Sequence, residues 1–131
     1  MSFPTFEKFL YPFLLFLKDG DLTKQQIREK MIDYFKLSDE EVSLRTKSGN
    51  TTQLNDRLGW TLQYFRRALF VEIPKNGTYH ITQRGIDYLR NNNDLFINSL
   101  MEYPEFAEFN RNHKKKKDTD EVIVINQEIT P

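Results

Sequence analysis

TTQLNDRLGWTLQYFRRALFVEIPKNGTYHITQRGIDYLR, residues 51–90, decides the fold of this chain, because it places a helix pattern, a tight turn and a second helix pattern in succession. The first helix is indicated by apolar residues whose spacing puts them on one face. These residues are Leu54, Leu58, Leu62, Phe65 and Leu69. Polar and mostly basic residues fall elsewhere around the helix: Gln53, Asp56, Arg57, Gln63, Arg66 and Arg67. The pattern predicts an amphipathic helix with a buried face and a cationic face.

The segment after this helix is predicted to be a tight β-hairpin. Val71–Pro74 and Thr78–Ile81 are β-prone runs that flank Lys75-Asn76-Gly77, and Asn-Gly readily adopts the positive φ angles of a hairpin turn. Thr82 then suits the N-cap of another helix, because its side-chain oxygen can accept from a free backbone N–H. Helix, hairpin and helix in this order predict a winged helix-turn-helix, a mainly α fold with a small β-hairpin.

The residues before this segment predict three further helices. Thr5–Leu17 has a broad aromatic and aliphatic face, with Pro12 marking a bend or local break. The spacing of Thr23–Gln26 is that of a capping box, so a second helix is expected from there to about Phe35. Ser38–Glu41 repeats the spacing for a short third helix. These helices are expected to supply the core on which the cationic helix rests.

Length and composition exclude several classes of protein. A chain of 131 residues suits one domain with appendages, and the absence of cysteine excludes disulfides and thiolate metal sites. Two separated histidines, His80 and His113, do not make a metal site, so we expect neither metal nor cofactor. The apolar run Phe9–Leu17 is too short to span a membrane, and no signal peptide is recognisable. We therefore expect a cytoplasmic protein without a membrane partner.

The formal net charge of zero conceals an uneven distribution. Residues 43–93 carry eight basic and three acidic groups, whereas residues 1–42 are acidic by two charges and residues 94–131 by three. A polyanion responds to the local field, because salt at about 0.1 M screens exposed charges beyond roughly 10 Å. The cationic helix and the hairpin are therefore the expected binding region for double-stranded DNA.

The candidate DNA-binding residues lie on this helix, on the loop before it and on the hairpin turn. They are Lys47, Ser48, Asn50, Thr51, Thr52, Gln53, Arg57, Gln63, Arg66, Arg67, Lys75 and Asn76. Amides such as Gln53 and Asn55 can read a base edge or can cap the helix. Arg66 and Arg67 can contact phosphates or can simply solubilise the helix. Trp60 can stack on a base, but an indole in an amphipathic helix is more often part of the core.

The chain resembles the N-terminal domain of Mrr-type restriction endonucleases. The resemblance rests on PTFEKFLYPFLLFLKDG at 4–20, LSDEE at 37–41, SGNTTQLNDRLGWTLQYFRRAL at 48–69 and GTYHITQRGIDYL at 77–89. In that family such a domain is similar to a winged helix that recognises DNA. A separate C-terminal nuclease domain of the PD-(D/E)xK type performs metal-dependent phosphodiester cleavage. The resemblance therefore implies a targeting module.

The remaining residues are too few for such a nuclease. About 40 residues follow position 90, so we assign no catalytic residue and expect either a truncated protein or a stand-alone recognition subunit. We divide the chain into a DNA-recognition domain (1–91), a helical extension (92–113) and a tail or linker toward a missing nuclease domain (114–131). The basic run Arg111–Lys117 can contact phosphates or form a solvated linker, and Val122–Ile125 is a short β-prone run.

The sequence therefore predicts the DNA-binding recognition module of an Mrr-like restriction endonuclease, which directs cleavage of double-stranded DNA, with methylated DNA as one candidate target, by a separate nuclease domain. Two alternatives remain. The same scaffold can serve as a protein-interaction or dimerisation module, in which case the cationic face is only solvated, or as a transcriptional regulator. A homodimer through the aromatic residues of the extension belongs to the first alternative.

Overall fold

A computed structural model describes residues 3–74 and 77–120, with the backbone alone for residues 113–120. The described residues form seven helices and three short strands. The helices are α1 (Glu7–Leu17), α2 (Lys24–Phe35), α3 (Asp39–Ser43), α4 (Gln53–Arg67), α5 (Gln83–Asn91), α6 (Ile97–Leu100) and α7 (Pro104–Asp120). The strands are β1 (Leu22–Thr23), β2 (Val71–Glu72) and β3 (Thr78–Ile81). The predicted mainly α fold with a small β-hairpin is confirmed.

The three strands form one antiparallel sheet in the order β1-β3-β2. β2 and β3 are the two arms of the predicted hairpin, with Val71 opposite Ile81. β1 pairs with the other edge of β3 through Leu22 opposite Tyr79, a pairing that the local sequence did not indicate. The sheet therefore ties the segment between α1 and α2 to the hairpin that follows α4.

The core is built on α1, whose aromatic side chains pack between α2, α4 and the sheet. Phe13 lies with its ring centroid 5.7 Å from that of Phe65 on α4 and 6.2 Å from that of Tyr79 on β3. Phe6 and Phe9 are fully buried, as the aromatic pattern predicted. Pro12 is also buried, and α1 continues through it, so of the bend or local break expected there, the break does not occur.

The starts of α2, α3 and α5 follow the predicted capping chemistry, and α4 has a cap at Thr52, a residue that we had predicted only as a DNA contact. Thr23 and Ser38 each form a complete capping box with the residue three positions later. Thr52 accepts a hydrogen bond from the backbone N–H of Asn55, and Thr82 accepts one from that of Gly85. Each cap satisfies a backbone donor that the helix itself leaves free. The starts of α2, α3, α4 and α5 are thus fixed by local sequence.

The end of α4 differs from the prediction. The helix stops at Arg67, and Leu69 follows it with a left-handed φ of 63° and a side chain that is 46% exposed. Leu69 therefore does not belong to the buried face. Tyr64, two turns after Arg57, is buried instead, and the backbone N–H of Phe70 bonds to the carbonyl of Phe65 as the chain turns into β2.

The C-terminal helices pack onto the rest of the domain. The carboxylate of Glu7 accepts a hydrogen bond of 2.8 Å from the backbone N–H of Ile97, which attaches the start of α6 to α1. Phe106 of α7 is fully buried, 5.1 Å between centroids from Tyr64 of α4. The backbone of α7 continues to Asp120, across the boundary that we placed between extension and tail. Val122–Ile125 lies outside the described residues.

Candidate nucleic-acid interface

The candidate interface is centred on α4, which has one buried and one outward side. Leu54, Leu58 and Phe65 are buried against α1 and the sheet. On the opposite side a stripe of residues at helical spacing faces away from the core. This stripe, called the outer face of α4 below, consists of Asn55, Gly59, Gln63 and Arg66. The predicted division of the helix into an apolar and a polar side is present, but its members need correction.

Arg57 is the main correction. We predicted it as a DNA contact, but its side chain is only 4% exposed and lies on the buried side of α4. Its guanidinium carbon is 5.0 Å from the centroid of the Phe3 ring, which is cation–π geometry. The aliphatic stem of an arginine can cover apolar surface, so an arginine can replace a core residue in a helix pattern. We therefore remove Arg57 from the candidate phosphate contacts.

Gln53 is held within the protein at both ends of its amide. Its Nε2 donates to the carbonyl of Arg45 at 3.1 Å, and its Oε1 accepts from Nη1 of Arg57 at 3.5 Å. These bonds fasten the start of α4 to the chain that precedes it. A base-reading role would require breaking them, so the structure favours an architectural role for Gln53. The bond to Arg45 was not visible from helix periodicity, because Arg45 lies outside the helix, whereas the bond from Arg57 has the i, i+4 spacing of neighbours on one helix face.

The loop before α4, residues 46–51, is a closed turn. The backbone N–H of Thr46 donates to the carbonyl of Thr51 at 3.0 Å, and that of Gly49 donates to the carbonyl of Thr46 at 2.9 Å. Gly49 has a φ of 77°, a conformation that glycine adopts without steric penalty. Lys47, Ser48 and Asn50 are exposed on this loop, whereas Thr51 and Thr52 are partly buried. The 46–51 loop thus presents Lys47 beside the N-terminus of α4.

The last turn of α4 carries the two basic candidates that remain on this helix, Arg66 and Arg67, and both are exposed. The guanidinium carbon of Arg67 is 5.0 Å from the centroid of Phe109, so α7 helps to position it. Arg66 lies close enough to Tyr79 to act on its hydroxyl. Burial raises the pKa of Tyr79, and the positive charge of Arg66 opposes that increase. Cations in the last turn also complement the helix dipole.

A shallow depression of about 430 Å³ lies over the first half of the outer face. Its lining residues are Lys24, Thr51, Asn55, Asp56, Gly59, Trp60 and Gln63. Lys24, from the start of α2, adds a cation that we did not predict. Trp60 is partly buried against the core, with its centroid 6.5 Å from that of Tyr64, yet it also lines this depression. It therefore packs on the core and also borders the depression, and its stacking on a base stays a prediction.

Two amides and a glycine give the depression its chemistry. Asn55 Oδ1 accepts a hydrogen bond of 2.9 Å from Nε of Arg28, a partner 27 residues earlier in the chain. A Cβ added at Gly59 would meet no atom within 4 Å, so no neighbour requires glycine there. A glycine inside a helix costs about 1 kcal/mol relative to alanine. Its presence in the sequence was a signal that our pattern reading did not use.

The structure describes the hairpin turn only in part. Lys75 and Asn76, both predicted DNA contacts, lie outside the described residues, and Gly77 has the positive φ, 87°, expected of a hairpin turn. Behind the turn, His80 Nδ1 lies 2.6 Å from Asp21 Oδ1, which links β3 to the residue before β1. Residues 3–74 and 77–112, whose side chains the structure describes, contain no group of three acidic, histidine or cysteine side chains able to hold a metal ion. No helix in the same part of the chain is long and apolar enough to cross a membrane.

Comparison with known proteins adds one finding. The sequence model of a protein family described as the Mrr N-terminal domain matches residues 6–91, which is more than half of the chain. The match covers every element from the start of α1 to the end of α5, including α4 and the hairpin. Neither a curated protein nor a solved structure matches the chain significantly.

Proposed function

This chain belongs to the Mrr N-terminal domain family, and from that premise we propose that it is the double-stranded DNA-binding module of an Mrr-type restriction system. The family supplies the link to restriction. In this proposal the chain selects DNA, with methylated bases among the candidate features, and a separate nuclease domain cuts it. The chain itself contributes recognition and no catalytic group.

The topology supports this proposal. A winged helix has the order helix, strand, helix, helix, strand, strand, with the first strand at one sheet edge and the hairpin at the other. The elements α1, β1, α2, α4, β2 and β3 follow that order, and the sheet order β1-β3-β2 agrees with it. The short α3 is an insertion. In helix-turn-helix proteins the second helix of the pair enters the major groove, and here that helix is α4.

The observation that carries the proposal is the placement of exposed cations at both ends of α4. Lys47 lies on the 46–51 loop at its N-terminus, and Arg66 lies in its last turn. Fifteen residues make a helix of about 22 Å, whereas the major groove is about 12 Å wide. A helix laid across the groove can therefore hold one cation near each phosphate strand. Lys24 on α2 extends the positive surface at the N-terminal end.

Fluorescence anisotropy with a short duplex tests this proposal. Each phosphate contact releases counterions, so the logarithm of affinity should fall linearly with the logarithm of salt between about 50 and 200 mM. In the double variant Lys47→Ala/Arg66→Ala the slope should decrease by about 2, because two phosphate contacts are lost. Lys8→Ala removes an exposed cation from α1 and should leave the slope unchanged. Absence of binding by the unchanged chain at low salt would contradict the proposal.

One observation favours the second candidate, a protein-interaction or dimerisation module. A groove of about 350 Å³ between α1, α2 and the segment before α6 exposes two aromatic rings. Tyr34 is 49% and Phe96 is 51% exposed at its edge. Exposed aromatic residues are common at protein interfaces. Analytical ultracentrifugation tests this candidate: a dimer that Phe96→Ser dissociates would support it, and a monomer at all concentrations would argue against self-association.

A further inference from the structure

No feature of the domain itself explains why residue 59 is a glycine. It lies near the middle of α4, and its backbone has none of the positive φ values that favour glycine. The space where a Cβ would lie is empty, so packing against another element does not explain it either. Glycine destabilises a helix, and no neighbour in the fold requires it here. Its presence is best explained by a ligand that approaches the helix from outside.

The neighbours of Gly59 indicate the chemistry of that partner. Asn55 lies one turn before Gly59 and Gln63 one turn after it on the outer face of α4, and both line the depression described above. Arg28 donates to Oδ1 of Asn55 and so orients its amide, which leaves the Nδ2 group as a donor. Gln63 makes no hydrogen bond with the side chains that the structure describes. Amides of this kind pair with the hydrogen-bonding edge of a base, and Gln is suited to adenine N6 and N7.

A second protein helix would fit this surface poorly. Close packing at a glycine would bury the two flanking amides, and buried amides without hydrogen-bond partners are destabilising. A base-pair edge, in contrast, supplies donors and acceptors to both amides. The lining carries one cation, Lys24, and one carboxylate, Asp56, so its formal charge is balanced. Polarity rather than charge therefore favours a base edge as the occupant of the depression.

We propose that Gly59 is the point where a base-pair edge in the major groove comes closest to the backbone of α4, and that Gln63 reads this base pair. The inference rests on the proposed DNA-binding function and deepens it. Because Gly59 has no side chain, a base pair can come closer to the helix axis at this position. The amide of Gln63, one turn away, can then reach the base edge. Gly59 thus sets the affinity for DNA by allowing close approach, and Gln63 sets the preference for one base pair through its hydrogen bonds.

The test uses the full chain and a pool of short duplexes with a randomised centre. Bound duplexes are sequenced, and affinity is then measured for the most enriched duplex. Gly59→Gln places a flexible neutral side chain in the depression. We expect its melting temperature to be at least that of the unchanged chain, and its affinity for the enriched duplex to fall at least about tenfold. Its salt dependence should stay the same, because no phosphate contact is removed.

Gln63→Ala tests the reading step, with Gln83→Ala as its control. Gln83 is an exposed glutamine of α5 whose Nε2 donates to Asp87 at 2.9 Å. Gln63→Ala should relax the preference at one base pair by roughly 5- to 150-fold, and Gln83→Ala should not change it. Unchanged enrichment in Gln63→Ala overturns the assignment of the reader.

The outcomes separate this inference from the function on which it rests. If Gly59→Gln binds the enriched duplex as tightly as the unchanged chain while both remain salt-dependent, Gly59 is not a point of close approach and the DNA-binding function stands. If the unchanged chain binds no duplex at low salt, both the inference and the proposed DNA-binding function are wrong. Binding of a second protein at the depression, with no effect of Gly59→Gln on DNA affinity, would also overturn the inference.

Discussion

The inner and outer faces of α4 use the same residue types for different purposes. Arg57 on the inner face is buried over the ring of Phe3, whereas Arg66, nine residues later, is exposed in the last turn. Gln53 is bonded at both ends of its amide, whereas Gln63 lines an open depression. The comparison teaches that residue type alone does not identify a DNA contact. The direction in which the helix presents each side chain decides whether that side chain is available to a ligand.

The largest expected difference between the faces is in stability. Phe65→Ala should lower the free energy of unfolding by about 3–5 kcal/mol, because it empties a fully buried site between the rings of Phe13 and Phe70. Gln63→Ala, two residues earlier on the outer face, should change it by less than about 0.5 kcal/mol. Urea denaturation of the two variants checks this. Equal losses would mean that the outer face is also packed.

Arg57 and Arg66 provide a sharper comparison. Arg57→Ala should lower the free energy of unfolding by about 2 kcal/mol, since it removes a buried stem and a cation–π contact, and should leave the salt slope of DNA binding nearly unchanged. Arg66→Ala should do the opposite, with little loss of stability and a slope smaller by about 1. Thermal unfolding and anisotropy on both variants measure the two quantities. A reduced slope in Arg57→Ala would return Arg57 to the interface.

The smallest expected effect concerns the start of the helix. Thr52→Ala removes the oxygen that accepts from the backbone N–H of Asn55, so the free energy of unfolding should fall by about 1 kcal/mol. Asn50→Ala changes an exposed side chain of the 46–51 loop and should be nearly neutral in stability. Urea denaturation distinguishes them. If Asn50→Ala were the more destabilising variant, the loop rather than the cap would hold the helix start.

The features that sequence alone predicted depend on local chemistry. The capping boxes at Thr23 and Ser38, the cap at Thr82 and the hairpin around Gly77 each depend on residues a few positions apart. Such patterns carry their own physical reason, so no knowledge of distant residues was needed. The structure then confirmed the mainly α fold with a small β-hairpin, and the family match over residues 6–91 confirmed the family resemblance.

The features that were missed depend on residues far apart in the chain. β1 has two residues, and only its pairing with β3, more than 50 residues later, makes it a strand. Asn55 is oriented by Arg28, and the burial of Arg57 depends on Phe3 at the start of the chain. Leu69 fits the helix periodicity, but the helix ends before it. Periodicity describes one helix at a time, so it shows neither contacts with distant residues nor the point where a helix ends.

The closed form of the 46–51 loop has a consequence for the entropy of association. Its backbone bonds and its bridge between Arg45 and Thr52 already fix the main chain on which Lys47 is carried. A loop that must be ordered on binding gives up conformational freedom at that moment, which weakens the complex. This loop has little such freedom left to lose. On meeting a phosphate backbone it would dock as a rigid surface, with only the Lys47 side chain left to immobilise.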